Sequence, residues 1–186
     1  MLTHYLATTL YSSSVTPPPP TPIGDGLTLA LVKQHLEYED ADRDALIQQY
    51  MNAATSWVEN YTGKKLSVGA VTQSLDSFDA YILLNRAPFV SLTSIGYVAP
   101  DGTEATITGA RLRNGRIYPP ASGWPSVGDY TGVTVAYQAG YATVPADLIS
   151  AQLLLIGDMF AGREASEWKS IDAVYALCRP HRDTLV

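Results

Sequence analysis

Apolar positions along this chain follow a helical period in two long segments and a two-residue period in the stretch that separates them. From Asp42 to Tyr61, the residues Leu46, Ile47, Tyr50, Met51, Ala54, Trp57, Val58 and Tyr61 recur three and four apart. They form one broad apolar stripe, and Gly63 is placed to end that helix. From Pro145 to Gly162, the residues Leu148, Ile149, Leu153, Ile156, Met159 and Phe160 supply a second stripe. Pro145 suits a first helical turn and Asp147 the positive end of the helix dipole. Leu154 and Leu155 widen this surface beyond what one small partner helix would cover, which points to contacts with other subunits. Two shorter helices are expected. One runs from Thr28, as cap, to Leu36, with Leu29 and Val32 on the same face. The other runs from Ser170 to Leu177 and is stopped by Pro180.

Between Leu66 and Tyr141 the period shortens to two. Val71 to Phe78, Tyr81 to Leu84, Leu92 to Val98, Thr103 to Ile107 and Val133 to Tyr137 read as strands. Asp101-Gly102 and Asn114-Gly115 are tight-turn dipeptides. The predicted fold class is therefore α+β: a small helical bundle carrying an inserted antiparallel sheet or barrel. Residues 27–66 and 145–178 form the helical core, and residues 67–144 form the β lobe. Residues 1–26 read as an extended arm, because Pro17 to Pro20 and Pro22 favour polyproline II over packed structure. Tyr5, Leu6, Leu10 and Tyr11 are the candidate anchors of that arm on a neighbouring surface. Residues 179–186 form a C-terminal tail.

Composition narrows the class of protein. A chain of 186 residues that is 46% hydrophobic can bury a core as one main domain. Its longest apolar run, Ala173 to Cys178, falls far short of the roughly 20 residues a bilayer requires, as does Leu153 to Ile156, so no membrane span is expected. The N-terminal segment lacks a basic stretch and a sustained apolar run, so no secretory signal is expected, and the Asn60-Tyr61-Thr62 sequon carries little meaning. The one cysteine, Cys178, rules out an intramolecular disulfide and reads as a small apolar residue of the last helix. A net charge of −6 argues against a broad cationic grip on nucleic acid.

Candidate chemistry is sparse. Asp40, Asp42 and Asp44 alternate as in a calcium loop, but Ala45 stands where the turn glycine belongs and Met51 where the bidentate Glu belongs. Helix capping and dipole stabilisation suit these carboxylates better than a metal. His4, His35 and His181 are scattered, and no nucleophile elbow, zinc-protease, phosphate-loop or dinucleotide motif is present. Neither a cofactor nor an enzymatic activity is expected. Arg111, Arg113 and Arg116 gather about the Asn114 turn with Trp124 nearby. A basic and aromatic group of this kind suits nucleic acid, although a protein-contact rim is the commoner use. Two other readings stay open. Tyr97, Tyr118, Trp124, Tyr130 and Tyr137 would form an aromatic platform in a ligand-binding module, and Asp76, Asp79 and His35 would serve a small hydrolase.

The helical segments also resemble a known family. Leu46-Ile47 through Trp57-Val58-Glu59-Asn60-Tyr61-Thr62-Gly63-Lys64 is similar to the first-helix signature of the head-tail connector proteins, or adaptors, of tailed phages. Gly140-Tyr141, Val144-Pro145-Ala146-Asp147-Leu148 and Gly162-Arg163-Glu164 resemble the second. Ala176-Leu177 with Pro180 and Arg182 resembles the C-terminal motif of a longer subgroup that carries a β insertion between its helices. The likeness spans Leu27 to Arg182 and leaves the proline-rich arm outside it.

The resemblance implies a virion structural protein at the neck. Roughly twelve copies would close a ring beneath the portal protein and extend the channel for double-stranded DNA, without sequence-specific binding. A stopper or tail terminator would dock below, and another neck role, stopper or tail completion, is the runner-up. In that family the C-terminal segment reaches the portal. The resemblance therefore assigns portal contact to Cys178, Arg179, Pro180, His181, Arg182, Asp183, Thr184, Leu185 and Val186. Leu154, Leu155, Arg111, Arg113, Arg116 and Trp124 are the candidates for subunit interfaces.

Overall fold

The computed structural model describes residues 26–128, 132–162 and 169–182. Arm anchors Tyr5, Leu6, Leu10 and Tyr11 and tail residues Asp183, Thr184, Leu185 and Val186 lie outside them, as do Tyr130, Arg163 and Glu164. The order is two helices, seven strands and two helices, as the α+β reading requires.

Helix α1 (Leu29–His35) begins at Thr28, whose Oγ1 accepts the Leu31 N–H at 3.2 Å. Helix α2 (Asp44–Thr62) starts two residues later than its apolar pattern predicts. Its N-cap is Arg43, which makes no side-chain capping bond. Asp42 accepts instead from the Tyr38 hydroxyl, and Asp44 is paired with Lys33 at 2.7 Å. These carboxylates therefore brace the corner between the helices; Asp44 stands in the first turn of α2, as dipole stabilisation requires, but the capping expected of the group is not made. Gly63 ends α2 at φ 73°, a left-handed conformation that glycine adopts without a Cβ penalty.

The middle of the chain forms two antiparallel sheets. Strands β1 (Gly69–Leu75), β2 (Ile82–Leu83), β3 (Phe89–Val98), β4 (Glu104–Thr106), β5 (Arg111–Arg113), β6 (Arg116–Tyr118) and β7 (Val133–Ala139) follow in sequence. One sheet has the order β1-β7-β3-β4 and the other the order β2-β6-β5. Central strand β7 buries Val133, Val135, Tyr137 and Ala139 at alternate positions, as a two-residue period requires. Ile95 joins them from β3, and Ile82, Leu84 and Ile117 join from the second sheet. Both sheets thus share one apolar core, and the short Arg-rich hairpin of β5 and β6 is stapled on through Ile117.

Helix α3 (Ala146–Ala161) and helix α4 (Ile171–Cys178) complete the bundle. Their core joins Val32, Ile47, Met51, Ala54 and Val58 to Leu148, Ile149, Ala151, Leu155, Ile156, Val174 and Cys178. A polar tie crosses it: Gln152 donates to Thr55 Oγ1 at 2.8 Å. Helix α4 ends at Cys178, before Pro180 and one residue past the expected Leu177. Helix α4 passes into a 3-10 turn, Arg179–His181, in which proline occupies an early position that supplies no hydrogen-bonded N–H. Among the described residues no helix is long and apolar enough to cross a membrane.

A backbone seam joins the helical core to the β lobe. After Gly63 the chain runs beside Ala87 on one flank and Tyr141 on the other: Lys65 N–H donates to Ala87 O at 2.8 Å, and Tyr141 N–H to Lys65 O at 3.3 Å. Gly140 makes the approach possible. At φ 139° a Cβ there would sit 2.3 Å from Ser67 O, so any side chain would collide with backbone.

Candidate functional site

The signature at the end of α2 holds the two lobes together. Glu59 accepts from Lys65 Nζ at 2.9 Å and from the Leu66 N–H at 2.9 Å, closing the turn that leaves the helix. Arg86 Nη1 donates to Glu59 O at 2.7 Å and Nη2 to Asn60 Oδ1 at 2.9 Å, so a guanidinium from the β lobe adds a second hydrogen bond to a carbonyl that already accepts the Gly63 N–H of the helix cap. The same segment is held from behind. The buried Tyr137 hydroxyl donates to Asn85 Oδ1 at 2.8 Å and accepts the Arg86 N–H at 3.0 Å, and burial pushes its phenol above the usual range. Sequence spacing offered no signal for Arg86, because its partners lie across the lobe boundary.

A second group roots the C-terminal tail. Cys178 is fully buried, so it belongs to the bundle core and is not a contact residue of the tail. Burial, reinforced by the Asp147 carboxylate, pushes its thiol up to about 11. Arg179 and Pro180 are exposed, while His181 is half-buried with Nε2 2.5 Å from Asp147 Oδ2. Arg182 lies over the Tyr61 ring at 5.3 Å, within cation–π range. Tyr61 in turn stacks on Trp57, and Tyr175 of α4 tilts against both rings. Arg182, the last described residue, therefore rests on an aromatic shelf made by α2 and α4.

On α3, Leu155 is fully buried in its own bundle. It cannot face another subunit, and the apolar surplus narrows to half-buried Leu154. The expected interface aromatic Trp124 is also largely internal. It stacks on Phe78 at 4.7 Å between ring centroids and packs on the β core.

The three arginines of the hairpin do share a surface. Tyr118 lies opposite Arg111, and Arg116 lies opposite both Arg113 and Leu83. Residues directly opposite in antiparallel strands project from the same face. Arg116 stacks over Tyr81 at 4.7 Å, and Tyr81 is 5.9 Å from Tyr118. Arg111, Arg113, Tyr81 and Leu83 are exposed. Tyr81 and Leu83 alternate with buried Ile82 and Leu84, the two-residue signal by which the sequence marks them as outward-facing.

Among the described residues no enzymatic or ligand-binding constellation assembles from the other candidates. Asp76 and Asp79 are exposed in the β1–β2 connection, whereas His35 lies on α1 in the other lobe. The aromatic platform does not form: Tyr137 is buried at the centre of the β core and Trp124 is stacked on Phe78. Among the described residues no group of three or more His, Cys, Asp or Glu is placed to hold a metal ion.

Several solved structures share this architecture. A chain in the neck of an empty gene transfer agent (GTA) particle, computed with C6 symmetry, superposes with a TM-score of 0.76 at 25% identity, over 88% of this chain and 92% of that one. A chain in the virion of a native GTA particle gives a TM-score of 0.73 at the same identity and coverage. One in the neck of a native GTA particle, computed with C12 symmetry, gives 0.72, again at 25% identity and the same coverage. No curated protein matches the chain. A model of the head completion protein family matches residues 27–167, which takes in the helical core up to α3 and the whole β lobe and starts where the proline-rich arm gives way to α1. The chain belongs to the head completion protein family.

Proposed function

We propose that this protein is the ring-forming connector of a virion neck, an adaptor seated between the portal protein and the next neck or tail component. The observation that carries this reading is the likeness to GTA neck chains, which spans both lobes and the seam between them. A ring of identical copies closes through head-to-tail contacts, each using two different patches of the same chain. The half-buried α3 surface at Leu154 and the exposed sheet face of Arg111 and Arg113 are two such patches on different lobes. The protein acts as a structural part, without a cofactor and without turnover. A net charge of −6 suits a conduit that lets double-stranded DNA slide, since a cationic lining would hold phosphates. The tail beyond the aromatic shelf reaches the portal, with Arg179 and Arg182 as charged anchors and residues 183–186 beyond them, while a stopper or tail terminator docks on the opposite side.

Co-sedimentation with purified portal protein tests this. The full chain is expected to pellet with the portal, and a chain ending at Arg182, which keeps both arginines but lacks residues 183–186, is expected to stay folded and to pellet more weakly. Removal of everything after Leu177 is a poorer test, because it also deletes buried Cys178 and the His181 contact. Failure of the full chain to pellet would move the protein to another neck position.

A further inference from the structure

The exposed face of the β2-β6-β5 sheet concentrates positive charge on a chain that is acidic overall. Arg111, Arg113 and Arg116 flank Tyr81, Tyr118 and Leu83 there, and Arg116 is already committed to the Tyr81 ring. Arg111 and Arg113 are left exposed at the hairpin end. The densest acidic stretch lies elsewhere, in the corner between α1 and α2, where Glu37, Glu39, Asp40, Asp42 and Asp44 fall within eight residues. Asp42 and Asp44 are used internally by Tyr38 and Lys33. Glu37, Glu39 and Asp40 are exposed.

These two regions cannot meet within one chain. The acidic corner precedes the first turn of α2 and packs through Tyr38 on Phe160 at the far end of α3. The β lobe is tied to the last turn of α2 through Arg86. The 19 residues of α2 therefore put about 28 Å of helix, at 1.5 Å per residue, between the corner and the point where the β lobe is attached. Both regions are exposed and solvated in the free protomer, and held on different lobes they can pair with each other only between protomers; such a contact is head-to-tail, the kind that closes a ring.

We infer that the Arg111/Arg113 face of the three-stranded sheet docks the acidic α1–α2 corner, residues 37–40, of a second copy of this chain. The inference rests on the ring-forming reading and names the contact that builds it. Arginine suits this role: its planar fork binds carboxylates in pairs, and the tilted rings of Tyr81 and Tyr118 provide apolar surface beside it. Complementary charge of this kind also sets partner orientation and suppresses the wrong register.

Charge reversal in trans separates the outcomes. R111E/R113E makes the sheet face acidic and leaves the corner intact, and E39K/D40K does the converse. All four side chains are exposed, and circular dichroism verifies that each variant folds. With purified portal present, each variant alone meets like charge at the contact and is expected to add no ring to the portal in low salt by sedimentation velocity, where the wild type does. An equimolar mixture makes every contact complementary again, and is expected to associate about tenfold or more tightly than either variant alone. A mixture no heavier than its folded components would overturn the inference, as would R111E/R113E assembling alone. So would loss of duplex DNA binding in R111E/R113E with no effect of mixing, which would make the face a phosphate surface. A mixture that grows into open chains without closing would keep the contact and contradict the ring.

Discussion

His181 Nε2 lies 2.5 Å from Asp147 Oδ2, so the 3-10 turn that ends the described chain is tied to the first turn of α3. Partial burial pushes the Asp147 carboxyl up, but the hydrogen bond and charge of His181, with the Leu148 N–H, outweigh it and hold the group below the ordinary carboxylate range. A depressed folded value means that the stabilisation is complete above the unfolded-state value of about 4 and is lost as pH falls through the lower folded value. The thermal midpoint of the wild type should exceed that of Asp147→Asn at pH 6, and the gap should close as pH drops below about 4. A gap independent of pH across that range would contradict the account.

Cys178 should behave as core. With its thiol pushed up to about 11 by burial and by the Asp147 carboxylate, the nucleophilic thiolate is scarce at neutral pH. Alkylation by iodoacetamide at pH 7.5 should be negligible in the native protein and complete in guanidinium chloride. Rapid native labelling would place the residue in an accessible tail.

Two glycines of the signature segments should differ sharply. Gly140→Ala drives a Cβ to within 2.3 Å of Ser67 O at the lobe seam, and the loss is expected to reach about 3 kcal/mol or more. Gly63→Ala meets open space and carries only the left-handed backbone penalty of about 1–2 kcal/mol. Denaturant titration of both variants measures the difference, and equal losses would show that the seam tolerates a side chain.

The adjacent leucines of α3 should separate fold from assembly. Leu155→Ala empties a fully buried site and should cost about 2–5 kcal/mol. Leu154→Ser removes a half-buried side chain, and should leave the midpoint within a few degrees of wild type while weakening ring formation on the portal. The reverse pattern would exchange their roles.

Periodicity carried most of the fold. The stripe from Leu46 to Tyr61 places α2 to within two residues at its start and one at its end, because buried one-sided packing dictates the helical spacing. Alternation in Val133 to Tyr137 likewise marks the central strand. What the pattern did not carry is which apolar residue faces inward at a crowded position. Leu154 and Leu155 look alike in sequence, and only the packing of α3 on α2 and α4 decides between them. Trp124 is similar: proximity to the arginines suggested a surface role, but Phe78, 46 residues earlier, claims its ring. Residues carried over from family resemblance turned out to include structural ones, Cys178 buried in the core and Glu59 and Asn60 bonded at the lobe seam. Contacts between lobes depend on three-dimensional closure, which local spacing does not encode.

Size-resolved mass analysis of the protein with and without the purified portal protein of the same particle tests the connector reading most directly. The account predicts a portal-dependent gain of about 240 kDa, the mass of a closed ring of roughly twelve 20.1 kDa chains. A protein that remains monomeric in the presence of portal, with the portal mass unchanged, would contradict it.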